Sequence, residues 1–364
     1  MYAKDLKRPW DALAAIAISL ILAGCSAAVT TTSASPQVSE PPEQVEVVLM
    51  THDSFAVSDE LLASFQSETG IEIKILRAGD AGAMVNQAVL TKDNPLADVM
   101  FGVDNNFLSR ALEADIFEPY ESPLLASVPD ELETDARVTP IDFGDVCINW
   151  DKEYFAETGL APPETLLDLT DPAYRDLLVV QSPATSSPGL AFLYSTIAQF
   201  GEAGDYSWID YWTDLRDNGV LVTSGWEEAY YSYFTAASDG DRPIVVSYAS
   251  SPPFEVIYAT EPIEEPPTAV MTEGCFRQIE YAGIVAGTEA RGAAEQVIDF
   301  LLSTPFQDEI PLSMFVFPAN EGATLPPAFV EFAVVPADPF SLPGGDIEAN
   351  VRRWILEWTE VVTG

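Results

Sequence analysis

Apolar and polar positions fall in short blocks along the chain, and the first blocks read as strand, helix, strand. Val45-Glu46-Val47-Val48-Leu49-Met50 is a β-branched apolar run, the pattern of a buried strand. Ser58 is placed to cap a helix in which Leu61, Leu62 and Phe65 share a face, and Gly70 ends it. Ile71-Glu72-Ile73-Lys74-Ile75 alternates strictly, as a half-buried strand does. A second helix is predicted over about residues 83–90, a third strand at Asp98-Val99-Met100-Phe101, and a third helix through Leu108 and Leu112. Strand–helix–strand–helix–strand with short connections predicts an α/β fold with a parallel sheet and right-handed crossovers.

Further along, two strand patterns read as crossings between lobes. The first is Pro140 to Trp150; the second, Arg277 to Val285, precedes a helix over 290–302. Shorter strands at Leu177–Gln181, Val220–Thr223 and Ile244–Tyr248 lie between them. The chain thus leaves one lobe, builds another and returns, which makes a clamp joined by hinge strands. The expected limits are 45–143 plus 279–330 for lobe one, 144–278 for lobe two, and a helical segment over 331–364 that packs back on the lobes. Cys147 and Cys275 then lie near one seam and form a candidate disulfide, provided their Cα atoms are within about 7 Å.

The loops after the first three strands are polar: Thr51-His52-Asp53-Ser54, Arg77-Ala78-Gly79-Asp80 and Gly102-Val103-Asp104-Asn105-Asn106. In an open parallel sheet such carboxyl-end loops converge on the crevice where ligands bind. Thr185-Ser186-Ser187 precedes Pro188 at a predicted helix start through Leu190 and Leu193, where free N–H groups and hydroxyls make an anion site. Ser187 is read there as the helix cap, a ligand group, or both.

Charge narrows the choice of partner. The 364 residues carry 58 acidic and 16 basic side chains and a formal charge of -42, yet 48% of them are hydrophobic. That is a folded protein with an acidic skin, and nucleic acid and anionic membrane surfaces are excluded as partners. The N-terminus differs in kind. Lys4, Lys7 and Arg8 precede an apolar run from Ala12 to Gly24, too short as a helix, at about 1.5 Å per residue, for a bilayer core of about 30 Å. Residues 1–24 read as a signal peptide. The run ends in Leu22-Ala23-Gly24-Cys25, which resembles the bacterial lipobox and implies a lipid on Cys25. The Ser-, Thr-, Ala- and Pro-rich stretch that follows, within 25–44, reads as a flexible tether. The expected location is extracytoplasmic, held to the outer face of the cell membrane.

Five motifs in register carry a resemblance. Thr51-His52-Asp53-Ser54-Phe55, Val103-Asp104-Asn105-Asn106, Thr185-Ser186-Ser187-Pro188-Gly189-Leu190, Ser224-Gly225-Trp226-Glu227-Glu228-Ala229-Tyr230 and Val246 to Pro252 occur in this order. Together they resemble the thiamine-binding proteins of ABC importers, within the type 2 periplasmic-binding-protein-like class. The resemblance runs from about Val45 to Pro327 and implies a two-lobed clamp, each lobe a mostly parallel sheet flanked by helices. It also implies capture of thiamine or its phosphates, delivery to a permease with ATPase subunits, a monomer, and no cofactor.

Thiamine joins a permanent thiazolium cation to an aminopyrimidine and a hydroxyethyl arm. A quaternary cation donates no hydrogen bond, so aromatic faces and carboxylates suit it, at about 0.5–2 kcal/mol per face. The residues matched for binding are His52, Asp53, Ser54, Asp104, Asn105, Thr185, Ser186, Ser187, Gly189, Trp226, Tyr230, Tyr248, Ser250 and Phe315, with no metal ligand among them. Asp53 and Asp104 are expected to face the aminopyrimidine and the cation, and Asn105 to satisfy a ring nitrogen and an amino group. His52 and Phe315 depart from the family pattern, which has Tyr and Trp there. A neutral His52 would stack and accept a bond, and its protonation would weaken binding below about pH 6. Polyamines and ferric ion are alternative cargoes for the same clamp. A secreted hydrolase is the contrasting class, but the chain lacks Gly-x-Ser-x-Gly, His-Glu-x-x-His and a phosphate loop with Lys.

Overall fold

Long-range strand pairing organises the chain. The computed structural model describes residues 45–364. The signal peptide over 1–24, the lipidation site at Cys25 and the tether over 25–44 lie outside the described residues. The first half follows the predicted alternation: β1 Val45–Thr51, α1 Asp59–Thr69, β2 Ile71–Arg77, α2 Ala81–Leu90, β3 Val99–Asp104, α3 Leu108–Glu113 and a short β4 Phe117–Glu118. Ser58 caps α1, its Oγ accepting the Leu61 N–H at 3.1 Å, and Gly70 closes the helix at φ 75°. β5 Thr139–Asp151 and α4 Lys152–Thr158 follow, then β6 Leu178–Gln181, α5 Ser187–Phe200, α6 Trp208–Asp217 and β7 Leu221–Thr223. The next turn, α7 Trp226–Glu228, continues as a π-helical turn over Ala229–Tyr233. β8 Ile244–Tyr248, α8 Pro252–Ile257, β9 Thr268–Val285, α9 Arg291–Leu302, α10 Thr304–Ser313, β10 Phe317–Pro318, α11 Pro327–Phe332 and α12 Gly344–Thr363 complete it.

Among the described residues the strands form one sheet in the order β2-β1-β3-β9-β5-β8-β6-β7, with β10 on β5 and β4 on β9. Both wings are parallel: β1 with β2 and β3 on one side, β6 with β7 and β8 on the other. The centre is antiparallel, because β5 and β9 run against each other and each also pairs antiparallel with a wing strand. The expected hinge strands are therefore neighbours, and β9 starts nine residues earlier than the sequence pattern indicated, at Thr268 rather than Arg277. Register slips at Pro140/Asp142 and Val146/Ile148 mark bulges in the pair.

Large apolar side chains fix the helices on this sheet. Phe55, Phe101, Phe300 and Phe306 are buried together on one side, with Phe55 edge-on to Phe101 at 5.2 Å. In the other wing Trp208, Tyr211 and Trp212 of α6 are buried, and α12 lays Trp354 and Trp358 on them. Trp358 meets Trp212 edge-on at 5.4 Å and Trp354 meets Tyr194 of α5 at 5.9 Å. The C-terminal helix therefore closes the core of the second wing. No helix among the described residues is long and apolar enough to cross a membrane.

Cys147 of β5 and Cys275 of β9 are bonded, with Cα atoms 4.4 Å apart, and both are buried. The bridge closes a loop with a sequence separation of 128, for which chain entropy gives about 5 kcal/mol. Replacing both cysteines by serine is expected to lower stability by about 2–5 kcal/mol in denaturant unfolding. An unchanged midpoint would show that the β5–β9 seam is held without it.

Candidate functional site

A pocket of about 660 Å³, its open mouth included, lies between the wings at the carboxyl ends of β1 and β2 and beside β8 and β9. One wall is aromatic. Trp226 stacks on Tyr230 at 4.8 Å and 24°, meets Tyr231 edge-on at 5.5 Å, and faces Tyr248 at 6.4 Å. Trp226 is held by its indole Nε1–H, which donates to Ser247 Oγ at 2.9 Å. Phe315 reaches the pocket from a left-handed backbone, φ 58°, and sets its ring edge-on to Phe254 at 4.6 Å.

The opposite wall is acidic. Asp80 Oδ1 accepts the Ala81 N–H at 2.7 Å as the cap of α2. Its Oδ2 crosses the cleft to accept the Trp226 N–H at 3.0 Å. Ser54 Oγ donates to Glu227 Oε1 at 2.7 Å, and the Ala83 N–H donates to the Thr185 carbonyl at 3.3 Å. These bonds join the two wings, so the structure is a closed form. Gly82 allows the approach: a Cβ there would lie 2.9 Å from the Thr185 carbonyl carbon.

Beneath the pocket lies a buried charge cluster. His52 rests on β3 over Gly102, where φ is 95° and a Cβ would stand 2.2 Å from the imidazole. His52 Nε2 sits 3.4 Å from Glu280 Oε2, an ion pair without the alignment of a hydrogen bond. Burial opposes the charge on His52, but Glu280, with Asp80 and Asp53 behind it, outweighs this and raises the imidazole above its ordinary 6.5. Burial likewise opposes the charge on Glu280, yet His52 and hydrogen bonds from Asp142 and Gln278 hold it below the usual range. Asp142 finds no donor on either oxygen. Burial and the Glu280 charge push it well above its ordinary value. Burial also raises Asp80, despite bonds from Ser186 and from the Trp226 and Ala81 N–H groups.

The sequence-predicted residues divide. His52, Ser54, Ser187, Trp226, Tyr230, Tyr248 and Phe315 line the pocket. Asp53 and Thr185 line a second recess at the mouth, where Asp53 accepts the Gly79 N–H and Thr185 Oγ1 donates to the Ser224 carbonyl. Others serve the frame instead. Asp104 is fully buried under the pocket, where it accepts from Asn106 Nδ2 and the Phe107 N–H, and burial pushes it up to about 7. Asn105 donates to the Arg277 carbonyl and accepts the Ile279 N–H, bracing β9. Gly189 packs on β6, where a Cβ would stand 2.5 Å from the Gln181 carbonyl oxygen. Ser186, not Ser187, is the N-cap residue of α5, and Ser250 is buried outside the pocket lining.

Asp80 and Glu280 escaped the sequence reading as site residues. Asp80 stood in a loop already assigned to the crevice; Glu280 showed as a carboxylate inside an otherwise buried strand pattern, the signal that would have found it. The expectation for His52 is also corrected. Its imidazole is committed to Glu280 and titrates above 6.5, so it is not a neutral group that charges below pH 6.

Two outcomes test this cluster. The single histidine gives an unambiguous NMR titration: it is expected above 6.5, and lower in Glu280→Gln, where burial is left with less to oppose it. An unshifted titration in that variant would remove the pair. The second concerns stability. His52, Asp80, Asp104 and Asp142 all release their protons at higher pH in the folded protein than in the unfolded chain. For the three aspartates stability therefore declines as pH rises above about 4, and for His52 as it rises above about 6.5. Glu280 acts in the opposite sense, and only as pH falls through about 4. The melting temperature is expected to be higher at pH 5 than at pH 8; the reverse order would contradict these assignments.

The same architecture occurs in known proteins. A thiamine-binding periplasmic protein of Escherichia coli is 28% identical over 324 residues, 87% of this chain and 93% of its own length. The structure of a periplasmic thiamin binding protein aligns with TM-score 0.77 and 25% identity, covering 87% of this chain and 96% of that one. Iron-bound HitA from Pseudomonas aeruginosa shares the fold, TM-score 0.69 at 20% identity, over 87% of this chain and 99% of that one. Residues 94–347 match the family of bacterial extracellular solute-binding proteins, and this chain belongs to that family.

Proposed function

We propose that the chain captures thiamine outside the cytoplasm, closes on it between the wings, and hands it to the permease of an ABC importer with its ATPase subunits. The observation that carries this reading is the pairing of an aromatic wall with two carboxylates, Asp80 and Glu280, in one interlobe pocket. The His52 charge is offset by Glu280, which leaves Asp80 to balance the thiazolium. Trp226 and Tyr248 offer ring faces to the cation, and Ser187 offers a hydroxyl to the polar parts of the ligand. The wings would open about β5 and β9, near the lobe limits 45–143 plus 279–330 and 144–278. A lipid on Cys25, a cleaved leader over 1–24 and a monomeric state complete the proposal, with binding rather than catalysis as the role.

Ferric ion is a poorer match. Tyrosine phenolates are hard oxygen donors suited to ferric ion, and Tyr230-Tyr231 does line this pocket. Tyr230, however, hydrogen-bonds Glu255, and burial with that carboxyl raises its phenol well above the ordinary value. Burial with Glu227 and Glu255 pushes Tyr231 up to about 12. Both phenols thus resist the ionisation that ferric binding requires.

Calorimetry with thiamine, spermidine and ferric citrate tests the assignment. Saturable binding of thiamine, with the other two weak or absent, is expected; no heat with thiamine would remove it. Trp226→Ala is expected to weaken thiamine by about 1–3 kcal/mol, and an unchanged affinity would return that ring to a packing role.

A further inference from the structure

At the Phe315 rim of the pocket the wings are tied by a residue that does not line it. We propose that Tyr258 is a positioning residue for the ligand, a clasp between the wings that slows release from the cleft, an inference that rests on the thiamine reading above. Tyr258 ends α8 of the second wing, its N–H donating to the Phe254 carbonyl at 3.0 Å. Its hydroxyl crosses to α10 and donates to the Leu312 carbonyl at 2.9 Å. α10 belongs to the first wing, because Phe306 and Ile310 are buried in that wing's core. Leu312 lies in the last turn of α10, which ends at Ser313, where carbonyls lack a donor from their own helix. The phenol supplies one from the opposite wing.

The ring of Tyr258 reaches the pocket wall from behind. Phe254 and Phe315 both line the pocket and meet edge-on at 4.6 Å. Tyr258 follows Phe254 by four residues, so the two share a side of α8, with centroids 5.4 Å apart. It also stands edge-on to Phe315 at 5.8 Å, which completes a cluster of three rings. Phe315 depends on such support. Its left-handed backbone, φ 58°, is one that a bulky side chain disfavours and keeps only where the surroundings hold it. Tyr258 itself is 58% exposed, so its own wing gains little from burying it. Its contacts to Leu312 and Phe315 span the wings and are lost when the wings part. Contacts made only in the closed form slow opening, and they leave the approach of ligand to the open form untouched.

Stopped-flow tryptophan fluorescence of the full chain with thiamine tests this on Tyr258→Phe and Tyr258→Ala. Tyr258→Phe keeps the ring and loses the bond, and the dissociation rate is expected to rise about threefold. Tyr258→Ala loses both, and the rise is expected to be about tenfold. Association rates should stay within about twofold of the unaltered protein. Melting temperatures of the ligand-free variants, whose wings are free to part, are expected to match that of the unaltered protein. The rise in melting temperature at a fixed excess of thiamine should shrink. An unchanged dissociation rate in Tyr258→Ala overturns the proposal and leaves the thiamine reading standing. An equal fall in melting temperature with and without thiamine also overturns it, and makes Tyr258 a support of α8 and α10 alone. No binding of thiamine by the unaltered protein removes both.

Discussion

Everything in this molecule hangs on the antiparallel pairing of β5 with β9. Each strand is long enough to serve both wings, so the pair turns two parallel half-sheets into one surface. Side-chain links reinforce it: the Cys147–Cys275 bridge, and the Asp145 carboxylate held by Arg277. The same pair brings Asp142 and Glu280 to the centre of the sheet, below the loop that carries His52. Structural seam and binding floor are therefore one object.

That placement explains the electrostatics. Isolated buried charges are costly, and the cluster lowers the cost: His52 balances Glu280, and burial beside Glu280 raises Asp142, which disfavours a second negative charge there. The half-buried Asp80, held by the Ala81 and Trp226 N–H groups, stands at the edge where the wings meet and is the acid that the proposed reading sets against the cation. Its bond to the Trp226 N–H couples the position of the acid to the position of the aromatic wall. Closure and the proposed recognition then use the same residues. The acidic skin adds a general bias toward cations, but its charge of -42 is spread over the surface and screened within about 8 Å at physiological salt, so it cannot choose among them.

How much of this was legible beforehand depended on range. Local signals were direct: Ser58 and Gly70 bounded α1 as their chemistry requires, and the strict alternation after Gly70 gave β2. Trp226 was recognisable because a Ser-Gly turn at a strand end leaves the next side chain facing outward. Asp104 misled for the opposite reason. It ends a strand in a polar loop, as a ligand group would, yet Asn106 and the Phe107 N–H claim it and draw it below the floor. Glu280 could be placed only by knowing that β9 lies beside β5 and that His52 stands over them. Pairings between residues more than a hundred positions apart leave no periodic trace in the chain.

The account's central claim is that a ring-bearing cation sits between Trp226 and the Asp80–Glu280 side of the cleft. A crystal structure of the chain grown with thiamine tests it most directly. The account predicts the thiazolium among Trp226, Tyr248 and Asp80, the hydroxyl arm toward Ser187, and His52 still paired with Glu280. Thiamine bound elsewhere, or its ring out of reach of both Trp226 and Asp80, would contradict it.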